Sequence, residues 1–544
     1  MRELYHDTPL ASEFTLHRLS SLLTGMREED HERQPVRVLH QSLRNFLVDQ
    51  DMHISSDTAR FTIIEKEHSQ MLAFLSLELI NRCLNTTTPG TGYLAMDGKT
   101  PLGIPKLEET AIPEGLQYAC LFWQSHIVDT TDSTQQIEEA LRRFLDNKVT
   151  QWMEIVAVCG PYRGLSVARK WMEMIGDDKT RAIPEYQRVY AEASLTLSDH
   201  LEYEDRREEA LEASSEALQT YRLLAANGTE THIQNICRSL ASVAIQLASL
   251  GRREEALAAS EESLRLHRQL AADQPDLFKP ALALSLNNIS TDLADMGRRQ
   301  EALAAIEEAV QLRRQLVANR PAAFIPQLAS SLNNLSIYLS DLGHRNEALS
   351  AVEEAVQLRR TLAANRPTEF LPGLATSLNN LSVRLSDVGR HEEALVTIRE
   401  AIQLYRQLAA DRPATFIPFL ARSLNNLSNR LSDMGSREKA LTAIEEAVQL
   451  RRQLATDRPA AFTPSLAKSL HNLSLSMSDF GRSDEALSII QEAVMLWRPL
   501  AANFPLRFNL DLKLSLIHLS DVLNDIGLHE EAVAANAETK NILV

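Results

Sequence analysis

The chain is poor in the residue types that mark several protein classes. It has 544 residues but only 4 cysteines and 18 glycines, and aromatic residues make up 5% of it. The cysteines, Cys83, Cys120, Cys159 and Cys237, lie far apart without metal-type spacing. This predicts buried, reduced thiols and no disulfide framework. Few glycines and few aromatics favour long helices over sheets.

Signals for membrane insertion or export are also missing. Met1 to Leu10 lacks the basic-then-apolar pattern of a secretory signal. The most apolar run, Met71 to Ile80, is about half a membrane span and contains Glu78. The net charge of −17 disfavours nucleic acids and anionic membranes as partners. We therefore expect a cytoplasmic protein with no nucleic-acid or membrane partner.

Motifs for catalysis are absent from the sequence as well. There is no H-E-x-x-H, no G-x-S-x-G and no cysteine with a suitable histidine. The stretch Gly92 to Thr100 imitates a phosphate-binding loop, but five residues separate its glycines instead of four and no apolar strand leads into it. A one-residue slip breaks the convergence of backbone N–H groups on a phosphate. We predict a protein that is not an enzyme and that needs no cofactor or metal.

What the chain does contain is a repeat of 46 residues. Ser331 to Pro367 combines two helical patterns separated by Gly343, and close copies fill most of the chain. The serines that open the first pattern share the step: Ser239, Ser285, Ser331, Ser377, Ser423, Ser469 and Ser515. The glycines do too: Gly251, Gly297, Gly343, Gly389, Gly435, Gly481 and Gly527. An earlier, eighth copy has Asp205 at the glycine position. A fixed period predicts a solenoid, because one helical hairpin cannot bury its apolar face alone.

The repeats resemble tetratricopeptide repeats (TPRs), most closely those of the kinesin-light-chain type, whose first helix also contains LNNL. The resemblance implies an all-α TPR superhelix of about eight repeats over residues 184–544. The residues predicted to be buried in one copy are Leu332, Leu335, Leu339, Ala348, Val352 and Ala355. The period exceeds the usual length of about 34 residues. We assign the excess to a longer second helix and to a loop such as Arg320 to Pro326, with Pro326 opening the next helix.

The first third of the chain has a different pattern. Residues 1–64 predict a winged-helix-like unit, with helices at Glu13–Leu23 and Gln41–Val48 and strands at Val36–His40 and Arg60–Ile64. Residues 65–183 predict a helical linker module with an exposed loop at 86–113. Its predicted helices are Glu65–Cys83, Leu116–Ile127, Ser133–Val156 and Gly164–Ile175. The aromatic residues predicted to fill its core are Tyr118, Phe122, Trp123, Phe144, Trp152 and Trp171.

Three segments in this region resemble fungal proteins of the NACHT-type STAND class, as found in basidiomycetes. They are VRVLHQSLRNFL (Val36–Leu47), YACLFWQSH (Tyr118–His126) and KVTQWMEI (Lys148–Ile155). They match the part that follows the nucleotide-binding core of that family. In such proteins the NTPase module precedes this part, and repeats after it sense a ligand or partner. The resemblance implies the tail of a STAND protein or a stand-alone relative, because no phosphate-binding loop lies upstream in this chain.

The first helices predict a partner-binding groove. In repeats of this kind they line the concave surface, and the face opposite the buried leucines carries a pair of asparagines in most copies. Carboxamides donate and accept hydrogen bonds, which suits an extended peptide backbone. The alternative is an inter-repeat ladder in which these side chains bind neighbouring hairpins. We favour peptide contact because two adjacent asparagines should not both be needed for one inter-repeat bond. The candidates are Asn287, Asn288, Asn333, Asn334, Asn379, Asn380, Asn425, Asn426 and Asn472, with His471 replacing one asparagine.

Two further positions on this face change from copy to copy while the core positions stay nearly constant. One carries Leu284, Ser330, Thr376, Arg422 and Lys468. The other carries Thr291, Ile337, Val383, Asn429 and Leu475. Constant amides beside variable neighbours are typical of a recognition groove, although drift at unconstrained surface positions would give the same pattern. Arg422 and Lys468 predict contact with an acidic ligand segment.

The second helices carry an arginine at one position in seven copies. These are Arg222, Arg268, Arg314, Arg360, Arg406, Arg452 and Arg498. We expect a solvated face with local ion pairs and keep a phosphate-binding stripe as the alternative. Together these observations predict a non-catalytic scaffold that binds a protein or peptide, as the sensor part of a STAND-type protein. The alternative is a scaffold that self-associates through its terminal repeat, on apolar surface at Ile517, Leu519 and the final helix.

Overall fold

The computed structural model describes residues 23–24, 37–38, 65–94, 103–108, 110–128, 135–175, 184–226 and 231–542. The chain divides into two compact units, Met1–Gln246 and Leu247–Val544. Within the described residues, regular structure consists of helices and one antiparallel pair of two-residue strands. The predicted all-α class is therefore confirmed.

In its described part, the first unit contains the two strands and seven complete helices, and an eighth helix continues into the second unit. The strands are β1 (Leu23–Thr24) and β2 (Arg37–Val38). The helices are α1 (Glu65–Cys83), α2 (Glu114–Val128), α3 (Gln135–Asn147), α4 (Val149–Cys159), α5 (Ser166–Ile175), α6 (Pro184–Tyr203), α7 (Arg207–Ala226) and α8 (Thr231–Ser249). Strand β2 lies inside the strand predicted at residues 36–40. Leu23, predicted to end a helix, lies in β1 opposite Val38. The other predicted elements of the winged-helix-like unit fall outside the described residues.

An aromatic cluster fills the core of the first unit. Trp123, Phe144 and Trp152 are fully buried and make edge-to-face contacts, with ring centroids 5.1 to 6.2 Å apart. Such contacts stabilise a helical core beyond the area they bury. The prediction is wrong for Tyr118 and Phe122, which are exposed on α2. They lie four residues apart on one helical face that points away from this core.

The loop predicted at residues 86–113 is anchored in its described part. The buried carboxylate of Glu154 accepts hydrogen bonds from the backbone N–H groups of Gly92 (2.9 Å) and Leu94 (2.8 Å). Tyr93, between them, is also buried. The expectation of an exposed loop is therefore wrong at Tyr93 and Leu94, which are buried, whereas Gly92 is exposed. The backbone N–H of Gly92 therefore donates to a carboxylate of this chain.

The second unit is a solenoid of helical hairpins. Its first helices are α10 (Pro275–Asp295), α12 (Pro321–Asp341), α14 (Pro367–Asp387), α16 (Pro413–Asp433), α18 (Pro459–Asp479) and α20 (Pro505–Asp525). Its second helices are α9 (Arg253–Asp273), α11 (Arg299–Asn319), α13 (Arg345–Asn365), α15 (His391–Asp411), α17 (Arg437–Asp457), α19 (Ser483–Asn503) and α21 (His529–Lys540).

The junctions between these helices are short and follow from the sequence. Within a hairpin, Gly343 has a φ of 85°, the left-handed conformation that ends a helix at little cost only for glycine. Between hairpins a single extended residue, Arg320, separates α11 from α12. Arg320 precedes Pro321, and a residue before proline is driven out of the helical region. The predicted loop up to Pro326 is therefore wrong, because α12 already begins at Pro321 and contains Pro326.

The hairpin core matches the predicted pattern at five of its six residues. Leu332, Ala348, Val352 and Ala355 are fully buried and Leu339 is buried, whereas Leu335 is half-buried. The helices also meet at a small polar position: in α16, Ser428 Oγ donates to the backbone carbonyl of Ala440, 2.8 Å away. Serine at this position therefore allows close approach and bonds the two helices together.

Candidate partner-binding surface

The first helices of the second unit form a continuous layer. Each contacts the first helix of the next hairpin directly, from α12 to α20. The asparagine pairs lie on these helices, so their side chains can reach from one repeat to the next. We call the first and second members of each pair the first and second asparagine.

The first asparagine of each pair bonds the following repeat. Asn287 Oδ1 accepts from Ser331 Oγ at 2.9 Å, and Asn379 Oδ1 accepts from Ser423 Oγ at 3.0 Å. Asn333 is oriented the other way and donates from Nδ2 to Ser377 Oγ at 2.8 Å. In the next-to-last copy, His471 Nδ1 lies 3.1 Å from Ser515 Oγ. Each partner serine opens the first-helix pattern of the next copy.

In three copies the second asparagine donates back to the preceding repeat. Asn426 Nδ2 lies 3.1 Å from Asn379 Oδ1, and Asn472 Nδ2 lies 2.9 Å from Asn425 Oδ1. One carboxamide oxygen can therefore serve two donors of the neighbouring hairpin. Both members of a pair can also bond neighbouring repeats, because Asn426 bonds the preceding repeat and Asn425 the following one. Two adjacent asparagines are therefore no argument against the ladder interpretation. We call this row of side chains the carboxamide ladder; its members are the first and second asparagines and His471.

The ladder members differ in how much surface they offer. Asn333 and Asn379 are only 5% and 3% exposed, so the ladder interpretation fits them best. The second asparagines are half-buried. Asn288 and Asn380 make no side-chain hydrogen bond to the part of the chain that the structure describes. Free amide capacity is therefore concentrated at the second position.

The two variable positions face outward beside the ladder. At one of them, Ser330, Arg422 and Lys468 are exposed and Thr376 is half-buried. At the other, Ile337 and Leu475 are 37% and 41% exposed, which is high for branched apolar side chains. Thr291 and Asn429 are also exposed there, and Val383 is half-buried. The structure thus brings the predicted variable residues together on the surface of the first-helix layer.

Sequence analysis missed a second-helix position that reaches this layer. It precedes the repeated arginine by one residue and carries His267, Arg313, Arg359, Tyr405 and Arg451. Arg313 Nη1 donates to the carbonyl of Gln327 at 2.7 Å and to Ser331 Oγ. Arg451 does the same with Ser465, at 2.8 Å, and Ser469. The sequence did contain a signal for this position. In these copies it carries arginine, histidine or tyrosine, all long side chains with a polar end, whereas a fully solvated position would have no reason to keep to these types.

These arginines are cations held in a poorly solvated place. Burial lowers the pKa of Arg313 and of Arg451 to about 10, and the Arg422 charge contributes at Arg451. Burial also lowers the pKa of Arg359. No aspartate or glutamate among the described residues forms an ion pair with Arg359, Arg422 or Arg451. A desolvated guanidinium without a counter-charge favours an incoming anion.

An aromatic platform lies between two of these repeats. Tyr405 donates or accepts a hydrogen bond with Thr376 Oγ1 at 2.9 Å and stacks on Phe419, with centroids 5.8 Å apart. The guanidinium of Arg422 lies over the Phe419 ring, 5.3 Å from its centre. The cation–π contact fixes the position of the Arg422 charge at the surface.

The repeated arginines of the second helices form ion pairs, as expected. Arg314 bonds Glu354 at 2.6 Å, and Arg360 bonds Glu400 at 2.7 Å, each across to the next second helix. The same pairing recurs in Arg268–Glu308, Arg406–Glu446, Arg452–Glu492 and Arg498–Glu538. These charges are satisfied, and they lie on the second helices, not beside the ladder.

Metal-binding clusters and membrane-spanning helices are both absent from the described part of the chain. No group of histidine, cysteine, aspartate and glutamate side chains there could hold a metal ion. None of the helices there is long and apolar enough to cross a membrane.

Comparison with known families supports the repeat assignment. The family model described as "Tetratricopeptide repeat" matches residues 282–320, 328–364, 374–412 and 420–456. The chain carries TPRs. These four matches cover α10 to α17, which contain most of the carboxamide ladder. The family described as "Anaphase-promoting complex subunit 5" matches TPR-containing residues 224–275 and 458–512. No curated protein matches the chain.

Solved structures with a similar arrangement of TPR-like helices have low sequence identity. BtubC (BKLC) from P. vanneervenii is 19% identical with a TM-score of 0.37, over 46% of this chain and 92% of that chain. The apo form of the quorum sensor NprR from B. thuringiensis is 13% identical with a TM-score of 0.44, over 75% and 99%. A Rap protein complexed with Competence and Sporulation Factor is 12% identical with a TM-score of 0.42, over 80% and 99%.

Proposed function

We propose that the first-helix layer of the second unit binds an extended, acidic segment of a protein partner. The observation that carries this proposal is the exposed row of variable residues beside a constant ladder, with cations that have no acidic partner of their own. The chain as a whole has a net charge of −17, so unpaired arginines in one layer are a local departure from its charge. Such a patch attracts an acidic segment selectively.

The residues divide this task according to their burial. The first asparagines hold successive hairpins in register. Half-buried second asparagines such as Asn380 offer amide groups to the backbone of the bound segment, independent of its sequence. Ile337 and Leu475 provide apolar contacts, and Arg422 and Lys468 provide charge-assisted hydrogen bonds to carboxylates. Affinity comes from the ladder and selectivity from the variable positions.

Peptide titration tests this proposal. Fluorescence anisotropy would compare labelled acidic, neutral and basic peptide pools of equal length, about 12 residues, which span about 40 Å when extended. We expect the acidic pool to bind best. The double variant Arg422→Ala/Lys468→Ala should weaken that binding at least tenfold, because both replaced side chains are cations in the layer.

The matched control removes the same charge from the second helices of two adjacent repeats. In Arg406→Ala/Arg452→Ala the replaced arginines lie on the second helices and pair with Glu446 and Glu492. This variant should bind the acidic pool within twofold of the original chain. Equal weakening in both double variants, or preference for no pool, would contradict the proposal.

Self-association is a second candidate function, favoured by the last complete first helix. In α20, Leu510, Leu514 and Ile517 are exposed at helical spacing on one face. Leu519, which we expected to contribute, is buried. Sedimentation velocity across a dilution series would distinguish the two functions. A dimer that dissociates on dilution and is lost in Ile517→Asn would support assembly, whereas a monomer at all concentrations would contradict it.

We also propose, on the resemblance of Val36–Leu47, Tyr118–His126 and Lys148–Ile155, that the chain serves as the sensor part of a STAND-type protein in the cytoplasm. The binding role assigns no catalytic reaction to the chain. In this role, ligand capture by the repeats would be passed to an NTPase module. Co-purification of the chain with an NTPase of that class from a fungal extract would support the assignment. If the Arg422→Ala/Lys468→Ala variant no longer co-purified with the NTPase, the contact would involve the first-helix layer.

A further inference from the structure

The second helices carry a recurrent charge cluster on the side away from the ladder. In one copy Arg298 bonds Glu301 on its own helix at 2.6 Å and lies 3.8 Å from Glu261 on the preceding second helix. Arg390 repeats the arrangement with Glu393 at 2.6 Å and Glu353 at 3.4 Å. One arginine and two glutamates give each cluster a net charge of −1.

One copy replaces all three members of this cluster. Its residues are Arg399, Ser436 and Lys439, which carry a net charge of +2. The position of Arg399 is glutamate in four other copies: Glu261, Glu307, Glu353 and Glu445. The position of Lys439 is glutamate in the seven other copies: Glu209, Glu255, Glu301, Glu347, Glu393, Glu485 and Glu531. Two charge reversals in adjacent repeats thus coincide with loss of the arginine between them.

Arg399 and Lys439 line the same pocket, of about 550 Å³, between α15 and α17. Its floor is apolar and includes Ile402 on α15 and Leu424 and Leu427 on α16. Arg399 and Lys439 are exposed at its rim. Neither forms an ion pair with a residue that the structure describes. The pocket therefore has an apolar interior and two uncompensated positive charges.

The charges, not the cavity, are what distinguish this repeat. A homologous pocket of about 470 Å³ lies on α9, where Glu261 occupies the position of Arg399. Leu264 and Arg268 correspond there to Ile402 and Arg406. In the α15–α17 pocket Arg406 is neutralised by Glu446, 2.8 Å away, as its counterparts are in other copies. The net +2 of the rim therefore comes from the two replaced positions.

We infer that the α15–α17 pocket binds a small anion with an apolar body, such as an alkyl phosphate or a medium-chain carboxylate. The volume falls in the range of small-molecule sites, which are mostly apolar with a few convergent polar groups. A guanidinium and an ammonium on opposite walls match a phosphate or carboxylate. Lys439 lies in the first turn of α17, whose N-cap, Ser436, makes no side-chain capping bond. The backbone N–H groups there add to the attraction for an anion.

Calorimetric titration of the full chain with hexyl phosphate tests this inference. We expect one site per chain, weaker binding of inorganic phosphate, which lacks the apolar body, and affinity that falls with salt. Arg399→Glu/Lys439→Glu restores the charges found in the other copies and should weaken binding at least tenfold. Because neighbouring copies carry glutamate at both positions, this variant should keep its helicity and melting temperature. Should it unfold, Arg399→Gln/Lys439→Gln takes its place with the same expected loss.

A variant that gains a second binding site provides a stricter test. Glu261→Arg/Arg298→Ser/Glu301→Lys transfers the three residues to the homologous pocket, and the stoichiometry should rise from one to two. The first-helix variant Arg422→Ala/Lys468→Ala should bind hexyl phosphate like the original chain. The inference is overturned if the original chain does not bind the probe, if the double glutamate variant binds it equally well, or if the first-helix variant is the one that loses it.

Discussion

Asn426 Nδ2 donates a hydrogen bond to Asn379 Oδ1, 3.1 Å away and one repeat earlier. The same oxygen accepts from Ser423 Oγ at 3.0 Å. Asn379 is therefore a shared acceptor for two donors of the next first helix. Asn333 and Asn425 also bond the following repeat, each through a single hydrogen bond, so the ladder adds polar bonds to the apolar packing between these hairpins. Buried bonds of this kind fix the register of stacked hairpins.

The ladder predicts different costs for two adjacent asparagines. Asn379→Ala removes an acceptor and leaves Ser423 and Asn426 without it, so the free energy of unfolding should fall by about 1–3 kcal/mol. Asn380→Ala removes a half-buried amide without a hydrogen bond to the described residues, and should change stability by less than about 0.5 kcal/mol. Urea unfolding followed by circular dichroism measures both. Similar costs for the two variants would contradict the assigned roles.

His471 makes the stability of the solenoid depend on pH. Burial lowers its pKa to about 4, with the nearby charges of His518 and Lys468 adding to the effect. Below the unfolded pKa of about 6.5 the unfolded chain binds a proton that the folded chain does not. Stability should therefore fall by about 1–2 kcal/mol between pH 7.5 and pH 5 from this residue alone.

The matched variant for this prediction is His471→Asn, because asparagine occupies the position in the preceding copies. An asparagine can still bond Ser515 but does not titrate. Urea midpoints at pH 7.5 and pH 5 should lie closer together in the variant than in the original chain. Carboxylate titration contributes equally to both proteins, so an unchanged pH dependence would rule out His471 as the source.

The turn glycines predict a cost that comes from the backbone alone. Gly343 has a φ of 85°, and an added Cβ would meet no atom within 4 Å. Gly343→Ala should therefore cost about 1–2 kcal/mol through left-handed strain without any steric clash. Gly343→Asn should cost less, because asparagine tolerates this conformation better. Thermal melting compares the two, and a larger loss for asparagine than for alanine would contradict the explanation.

The sequence was sufficient for the hairpins because their period repeats the same buried residues, such as Leu332 and Ala348, seven times or more. It was insufficient to place a helix boundary where two residues could each begin the helix. Pro321 and Pro326 both suit the first turn of a helix, and only the structure shows that α12 begins at the earlier one. The ladder was underestimated because a sequence does not show that one carboxamide oxygen serves two donors.

Adjacent residues can also face opposite sides of a helix pair, which a repeat pattern does not reveal by itself. Several second helices contain the tripeptide Leu-Arg-Arg. Its second arginine forms an ion pair with a glutamate of the next second helix, whereas its first arginine reaches the first-helix layer. Arg359 Nη2 donates to Ser330 Oγ at 3.0 Å on α12, and a Cβ on Gly373 of α14 would collide with its guanidinium. The glycine in α14 thus makes room for an arginine that belongs to α13.

This difference between Arg359 and Arg360 leads to the last prediction. Arg359→Met keeps the length of the side chain but removes a desolvated charge without an acidic partner, so stability should stay the same or rise by up to about 1 kcal/mol. Under the proposed function, binding of the acidic peptide pool should nevertheless weaken about tenfold, because the lost charge would attract its carboxylates. Arg360→Met breaks an exposed ion pair with Glu400 and should cost less than about 1 kcal/mol, with peptide binding unchanged. Paired urea unfolding and anisotropy measurements separate the two effects. If Arg359→Met destabilised the chain without affecting peptide binding, the arginine would be structural and the acidic ligand would have to be assigned elsewhere.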